Sequence, residues 1–201
     1  REAEVNLRVA LYLRDLLEAA DAEVLMTRTD DSIVPNNERP RMANEWGADI
    51  FLSIHHNAVD RPGPNFTTVW YHAAVDARPS NLDLARYLCL ALYDALELPQ
   101  VTDVPLKSDQ LMYDTGFGVL RGAQTTAALS ESSFHSNPEQ EQRLRDPEYN
   151  LREAYALFRG LMHYATAGWP HVELLEPADG TITDATAPLV LRLYDGLRER
   201  K

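Results

Sequence analysis

The chain has 201 residues, 45% apolar and 25% charged, the proportions of a globular protein with room for one ordinary α/β domain and the beginning of a second. Thirty-one acidic residues against nineteen basic ones give a formal net charge of −12, which argues against a nucleic-acid backbone or an anionic membrane as the main partner. The single cysteine, Cys89, excludes an internal disulfide framework and any Cys-rich zinc module, and no apolar run approaches the about 18 residues of a membrane span.

The chain opens at Arg1 without methionine and enters an amphipathic pattern at once, so a segment upstream, including any signal peptide, is expected to precede it. "EVNLRVALYLRDLLEAADA" places Val5, Val9, Leu13, Leu16 and Leu17 at helical spacing. "AEVLMTR" reads as a short buried strand, "TDDSIVPNN" as a loop, and a second helix is predicted from about Glu38 to Trp46. In "DIFLSIHHNAV" an apolar strand of Ile50, Phe51, Leu52 and Ile54 ends in two histidines and an asparagine instead of a plain turn. "FTTVWYH" is predicted as a strand and "SNLDLARYLCLALYDALEL" as a strongly periodic helix that carries Cys89 as an inert core thiol. Residues 99–118 form a long polar stretch with little periodicity, where Tyr113 and Phe117 are weighed as packing residues against a substrate groove. "GVLRG" and "TTAALSESSF" read as two more strands. "PEQEQRLRDPEYNLREAYALFRGLMHYATAG" reads as one or two closing helices that stop at Gly168. Alternating helices and strands predict an α/β fold with a mixed, mostly parallel sheet. The expected organisation is a catalytic domain over 1–168, then over 169–201 a linker and the start of a β-rich module.

His55 and Glu131 each stand just beyond an apolar strand, the place where open α/β sheets bind ligands, and Glu2 opens the first helix. Imidazole and carboxylate are the usual ligands of a catalytic zinc, and a further carboxylate beside it serves as a general base. Each residue alone has a plainer reading. A single strand-end histidine is more often a hydrogen-bonded edge residue, a first-turn glutamate suits the helix dipole, and Glu131, harder to dismiss because a carboxylate there is costly to bury unpaired, would still be explained by a salt bridge with an arginine such as Arg121.

Five blocks in order change the weighing: "EAEVNL", "VLMTRTDD", "ERPRMANEWGADIFLSIHHNA", "GVLR" and "ESSFHSNPEQEQRLRDPEY". With them the chain, from Arg1 to about Gly168, resembles the zinc-dependent N-acetylmuramoyl-L-alanine amidases, which cut peptidoglycan between the muramic acid lactyl group and the stem peptide. The resemblance implies that Glu2 and His55 are zinc ligands and that Glu131 is the catalytic carboxylate that takes a proton from the attacking water. It implies Zn²⁺ as cofactor, peptidoglycan as substrate and an extracytoplasmic location. His56 is expected to point away from the metal by strand alternation.

Three departures accompany the likeness. The family draws another histidine ligand from upstream of the acidic one, a segment this chain does not contain. Ser132 and Ser133 stand where two glycines are usual. The link "AAVDARP" is too short for the helical plug that blocks some relatives. The rival readings are a catalytically silent amidase-like domain that binds cell-wall fragments or regulates another hydrolase, and a zinc peptidase acting on a different amide.

Overall fold

A computed structural model describes residues 1–73, 80–98, 105–167, 171–177 and 189–194. The expected helix stop at Gly168, Trp169 and most of the short link after His72 lie outside these residues. The chain divides into two compact units, Arg1–Leu161 and Met162–Lys201.

In the first unit α1 (Glu2–Glu18) buries Val5, Asn6, Val9 and Leu13, a stripe four residues apart with one polar member. α2 (Glu38–Trp46) leads into β1 (Ile50–Asn57). β2 (Thr68–Tyr71), α3 (Ser80–Leu96), β3 (Leu106–Ser108) and the short α4 (Gly118–Arg121) follow. β4 (Thr126–Phe134), α5 (Pro138–Leu144) and α6 (Pro147–Ala167) complete the order. The four strands form one sheet in the order β1-β4-β2-β3, with β1 parallel to β4, β2 antiparallel to β4 and β3 parallel to β2. This is the mixed, mostly parallel sheet that the alternation of elements predicts.

β4 lies between β1 and β2, which explains its composition: Ala127, Ala128, Leu129 and Ser130 are all buried, as expected of a strand covered on both faces. On one face Phe51, Trp70, Ala127 and Leu129 pack with Ala43 of α2 and with Val119 and Leu120 of α4. α3 supplies Leu84, Leu88 and Leu92, each with no exposed surface and each contributing about 1.5–3 kcal/mol by burial. Gly160 of α6 lets that helix approach α3 closely, because a Cβ there would stand 3.0 Å from the Leu88 Cα. The Cys89 thiol is buried in α3, which pushes its pKa up to about 11 and makes it inert at neutral pH.

Two local expectations are corrected. Residues 22–28 form no strand; the sheet ends at β1, and the segment joins no ladder among the described residues, with Leu25 exposed. Its apolar run satisfies the local preference, but a strand also needs a partner for its backbone groups. "GVLRG" is helical over Gly118–Arg121, where Val119 and Leu120 are both buried in the cluster against α2. Four residues are too few to carry a period.

The second unit holds the end of α6 and an antiparallel pair, β5 (His171–Glu176) with β6 (Val190–Tyr194).

Candidate active site

The site is built at the ends of β1 and β4, which run parallel with His55 opposite Glu131. Period two puts His55 on the face of Phe51 and Glu131 on the face of Ala127 and Leu129, while His56 faces the opposite way. Between His55 and Asn57 the register slips, so that Asn57 stands opposite Phe134. The extra residue in β4 directly after Glu131 is a bulge, a device that bends a strand and re-aims its side chains.

α1 brings its first residue to this edge. Glu2 Oε1 lies 3.1 Å from His55 Nδ1, and the Asn6 amide donates to the same oxygen at 3.0 Å. The His56 backbone N–H points at it from 3.5 Å. Partial burial works against the Glu2 charge, but the hydrogen bonds from His55 and Asn6, the His55 charge and the His56 N–H outweigh it and hold the carboxyl at about 2. Glu2 is therefore ionised at every physiological pH.

Glu131 is in the opposite condition. Burial pushes its pKa up to about 7, the charges of His55 and His56 pull it back in part, and the Glu2 charge adds to the rise. Its Oε2 is enclosed without a hydrogen-bond partner. Arg121, the salt-bridge partner weighed from sequence, is committed elsewhere: its guanidinium donates to the carbonyls of Thr115 and Gly116 at 2.8 and 3.3 Å. Two carboxylates whose environments drive their pKa values apart, next to an imidazole, are the usual mark of divided acid–base roles.

The structure thus brings Glu2, His55 and Glu131 to one sheet edge. His135, which carries no metal-ligand spacing in the sequence, arrives there as well, its Nε2 3.8 Å from Glu2 Oε2. It stands one residue past the strand, and the bulge after Glu131 upsets the alternation that would have placed it. Asn137 follows as the cap of α5, accepting from the Gln140 N–H at 3.0 Å with Pro138 in the first turn. His135 also lines a cleft of about 350 Å³ with Arg1, Glu4, Arg8, Leu144 and Arg145. Glu153 was not singled out from sequence, yet it is fully buried against His56. Its signal was there: it falls four residues from both Tyr149 and Leu157, inside the apolar stripe of α6, where a charge needs a partner.

Trp70 is a packing residue, with Phe117 against it at 5.3 Å between ring centroids, whereas Trp46 is exposed. Ser132 and Ser133 are both buried; the Ser132 carbonyl accepts from the Thr67 hydroxyl at 2.9 Å, and the Ser133 hydroxyl accepts from the Gln140 amide at 3.0 Å.

The donor types at this edge, one ionised carboxylate and one imidazole facing each other, suit zinc. Among the described residues no group of three or more His, Cys, Asp or Glu is arranged to hold a metal ion.

Comparison with known proteins agrees with this geometry. The N-acetylmuramoyl-L-alanine amidase family matches residues 1–163. The chain is 30% identical over 151 residues to the N-acetylmuramoyl-L-alanine amidase CwlM of Bacillus licheniformis, covering 74% of this chain and 54% of that protein. It is 26% identical over 163 residues to the N-acetylmuramoyl-L-alanine amidase LytC of Bacillus subtilis, covering 81% of this chain and 31% of that protein. The chain therefore spans about a third to a half of the length of these curated relatives. Among solved structures, the N-acetylmuramoyl-L-alanine amidase from Clostridium difficile superposes with a TM-score of 0.73 at 26% identity, covering 82% of this chain and 84% of that one. The match over the whole of the first unit makes this chain a member of the N-acetylmuramoyl-L-alanine amidase family.

Proposed function

We propose that the chain is the catalytic part of an amidase that hydrolyses the bond between the N-acetylmuramic acid lactyl group and the L-alanine of a peptidoglycan stem peptide. Glu2 and His55 are the donors this chain offers to a zinc ion, and Glu131 is the proton carrier. The observation that carries the reading is the placement of Glu131: a carboxyl with an enclosed, unpartnered oxygen and a pKa of about 7, opposite His55 in the sheet.

A bound Zn²⁺ would supply Lewis acidity, polarising the amide carbonyl and the attacking water. Glu131 takes a proton from that water as the C–O bond forms and hands it to the departing amine as the C–N bond breaks. A pKa near neutrality serves both halves of this exchange. The products are a lactyl carboxylic acid and a stem peptide with a free L-alanine amine. Asn6 and the His56 N–H hold the Glu2 carboxylate in its ionised, donor-ready state. The cleft beside His135 offers room for part of the stem peptide; its Arg8 and Arg145 are already paired with Glu4 and Glu141 of the same wall. Since the substrate lies outside the cytoplasmic membrane, the protein acts extracytoplasmically.

The catalytically silent reading, a domain that grips wall fragments or regulates another hydrolase, is favoured by one observation: Ser132 and Ser133, both buried, follow Glu131 where the family usually has two glycines. Mass spectrometry of purified muropeptides after incubation with the chain and zinc separates the two. Release of stem peptides with a free L-alanine amine, abolished by a chelator, supports the amidase. Retention of intact muropeptides on the protein without cleavage supports the silent domain.

A further inference from the structure

His56 and Glu153 form a buried pair for which the reaction has no direct use. Both side chains are without exposed surface, and His56 Nε2 lies 3.0 Å from Glu153 Oε2. The other ring nitrogen, Nδ1, is 2.7 Å from Asn6 Oδ1, and the Asn6 amide nitrogen donates to Glu2 Oε1 at 3.0 Å. A continuous path therefore runs from α6 through β1 to α1 and ends on the Glu2 carboxylate.

Proton bookkeeping fixes the direction of every bond on that path. An ionised Glu2 only accepts, so Asn6 must present its NH₂ to it. The Asn6 oxygen is then left for His56, so Nδ1 must carry a proton. The Nε2 side has one proton shared with Glu153: it sits on the imidazole and is donated to a carboxylate, or on a carboxylic acid and is donated to the imidazole. In either case Glu153 sets the ring, the ring sets the amide, and the amide sets Glu2. Glu153 Oε1 has no hydrogen-bond partner, so the pair carries an unrepaid polar cost. Buried ion pairs are poor sources of stability, and apolar residues of similar volume often replace them at no loss.

We propose that His56 and Glu153 are positioning residues which, through Asn6, hold the Glu2 carboxylate against His55 as a metal donor. The inference rests on the reading of Glu2 and His55 as zinc donors and extends it to residues that touch neither metal nor substrate.

The test is zinc affinity of the whole chain, measured by competition with a chromophoric chelator, in the unmodified protein, E153Q and the double variant H56L/E153L. Thermal unfolding is recorded alongside. The double variant is expected to fold with an unfolding midpoint near that of the unmodified chain and to bind zinc about 10–100-fold more weakly, the usual effect of losing an outer partner of a ligand. E153Q, which still offers the ring a hydrogen-bond partner, is expected to stay close to the unmodified chain. A folded double variant that binds zinc as tightly as the unmodified chain overturns the proposal. If E2Q/H55A binds zinc as tightly as the unmodified chain, the donor reading itself fails, a result separate from that of H56L/E153L. Nitrogen NMR of the His56 ring in the unmodified chain decides the network even if the double variant does not fold. A proton on Nδ1 supports it, and a bare Nδ1 reverses Asn6 and overturns it.

Discussion

The two ends of the sheet each carry a buried histidine locked to a buried carboxylate, and they use the pair differently. Where β1 and β4 finish, His56 lies between Glu153 and Asn6, and the chain of bonds goes on to Glu2. Where β2 finishes, four residues and so about 13 Å along the strand from Thr68, the neighbour of Glu131, the partners are His72 and Asp109. There His72 Nδ1 meets both Asp109 oxygens at 3.2 and 2.9 Å, and Asp109 also accepts the Phe117 N–H at 2.8 Å. Gly116, at a φ of 69°, turns the loop so tightly over this pair that a Cβ would collide with the Asp109 carboxylate and the His72 imidazole. At the β2 end the pair closes a loop and the Asp109 oxygens are used up. At the β1–β4 end Glu131 Oε2 and Glu153 Oε1 remain buried and unpartnered. Each such atom costs about 1–3 kcal/mol. Carboxyl oxygens left unpartnered at one end, while the carboxylate at the other is satisfied, fit the acid–base role proposed for the β1–β4 end.

The largest expected contrast is between the carboxylates. E131Q should lower the rate of amide cleavage by about 10²–10⁴-fold with little loss of stability, the usual worth of a positioned acid–base group. Asp109→Ala should leave the rate unchanged and, by leaving His72 and the Phe117 N–H buried without their acceptor, lower stability by about 3–5 kcal/mol in urea unfolding. Equal effects of the two on activity would erase the distinction drawn here.

A second contrast concerns zinc. Replacing the β2-end pair, H72L/D109L, should leave zinc affinity where it is, whereas H56L/E153L lowers it. A loss of affinity in both would mean that zinc uptake reports general integrity of the fold.

The pH dependence is sharper at the catalytic end and its sign follows from the two shifts. With the Glu131 carboxyl raised from 4.5 to about 7, the rate in the chain should fall tenfold per pH unit below about 7, and a bound cation should move that limb to lower pH. Because the folded state holds this proton more tightly, stability contributed by Glu131 is full below pH 4.5 and declines as pH rises from 4.5 to about 7. E131Q should remove that slope. Glu2 acts the other way: lowered from 4.5 to about 2, it stabilises fully above pH 4.5 and its contribution is lost as pH falls towards 2. An E131Q chain with an unchanged unfolding profile between pH 4.5 and 7 would refute the assigned burial.

The smallest effect on activity is at the turn. Gly116→Ala should not change cleavage, but should cost about 2–6 kcal/mol of stability, because the strain at positive φ adds to the collision with Asp109 and His72.

What was legible in the sequence follows from the physics of each element. β1 and β4 show themselves because their apolar runs stop at polar residues, and that stop marks the edge proposed as catalytic. Glu2 has a weaker signature, its place at the start of the first helix, since a first-turn glutamate satisfies the helix dipole without any metal; the resemblance to the amidases gave it a ligand's role. His135 was hidden by the bulge after Glu131, which breaks the alternation from which its direction would be inferred. Glu153 was legible in principle as a charge inside an apolar helical stripe. Its partner, His56, is 97 residues away, and no local pattern reports a contact of that range. The segment at 22–28 was misread for the converse reason, because local preference for a strand says nothing about whether another strand is there to pair with it.

The catalytic role proposed for the β1–β4 end is tested most directly by measuring zinc content and amide cleavage on the same preparations of the unmodified chain and E131Q. The expected result is equal zinc in both, with release of free L-alanine amines by the unmodified chain only. Cleavage that survives in E131Q, or zinc that disappears together with activity, would contradict the assignment of Glu131 as the proton carrier beside a metal held by Glu2 and His55.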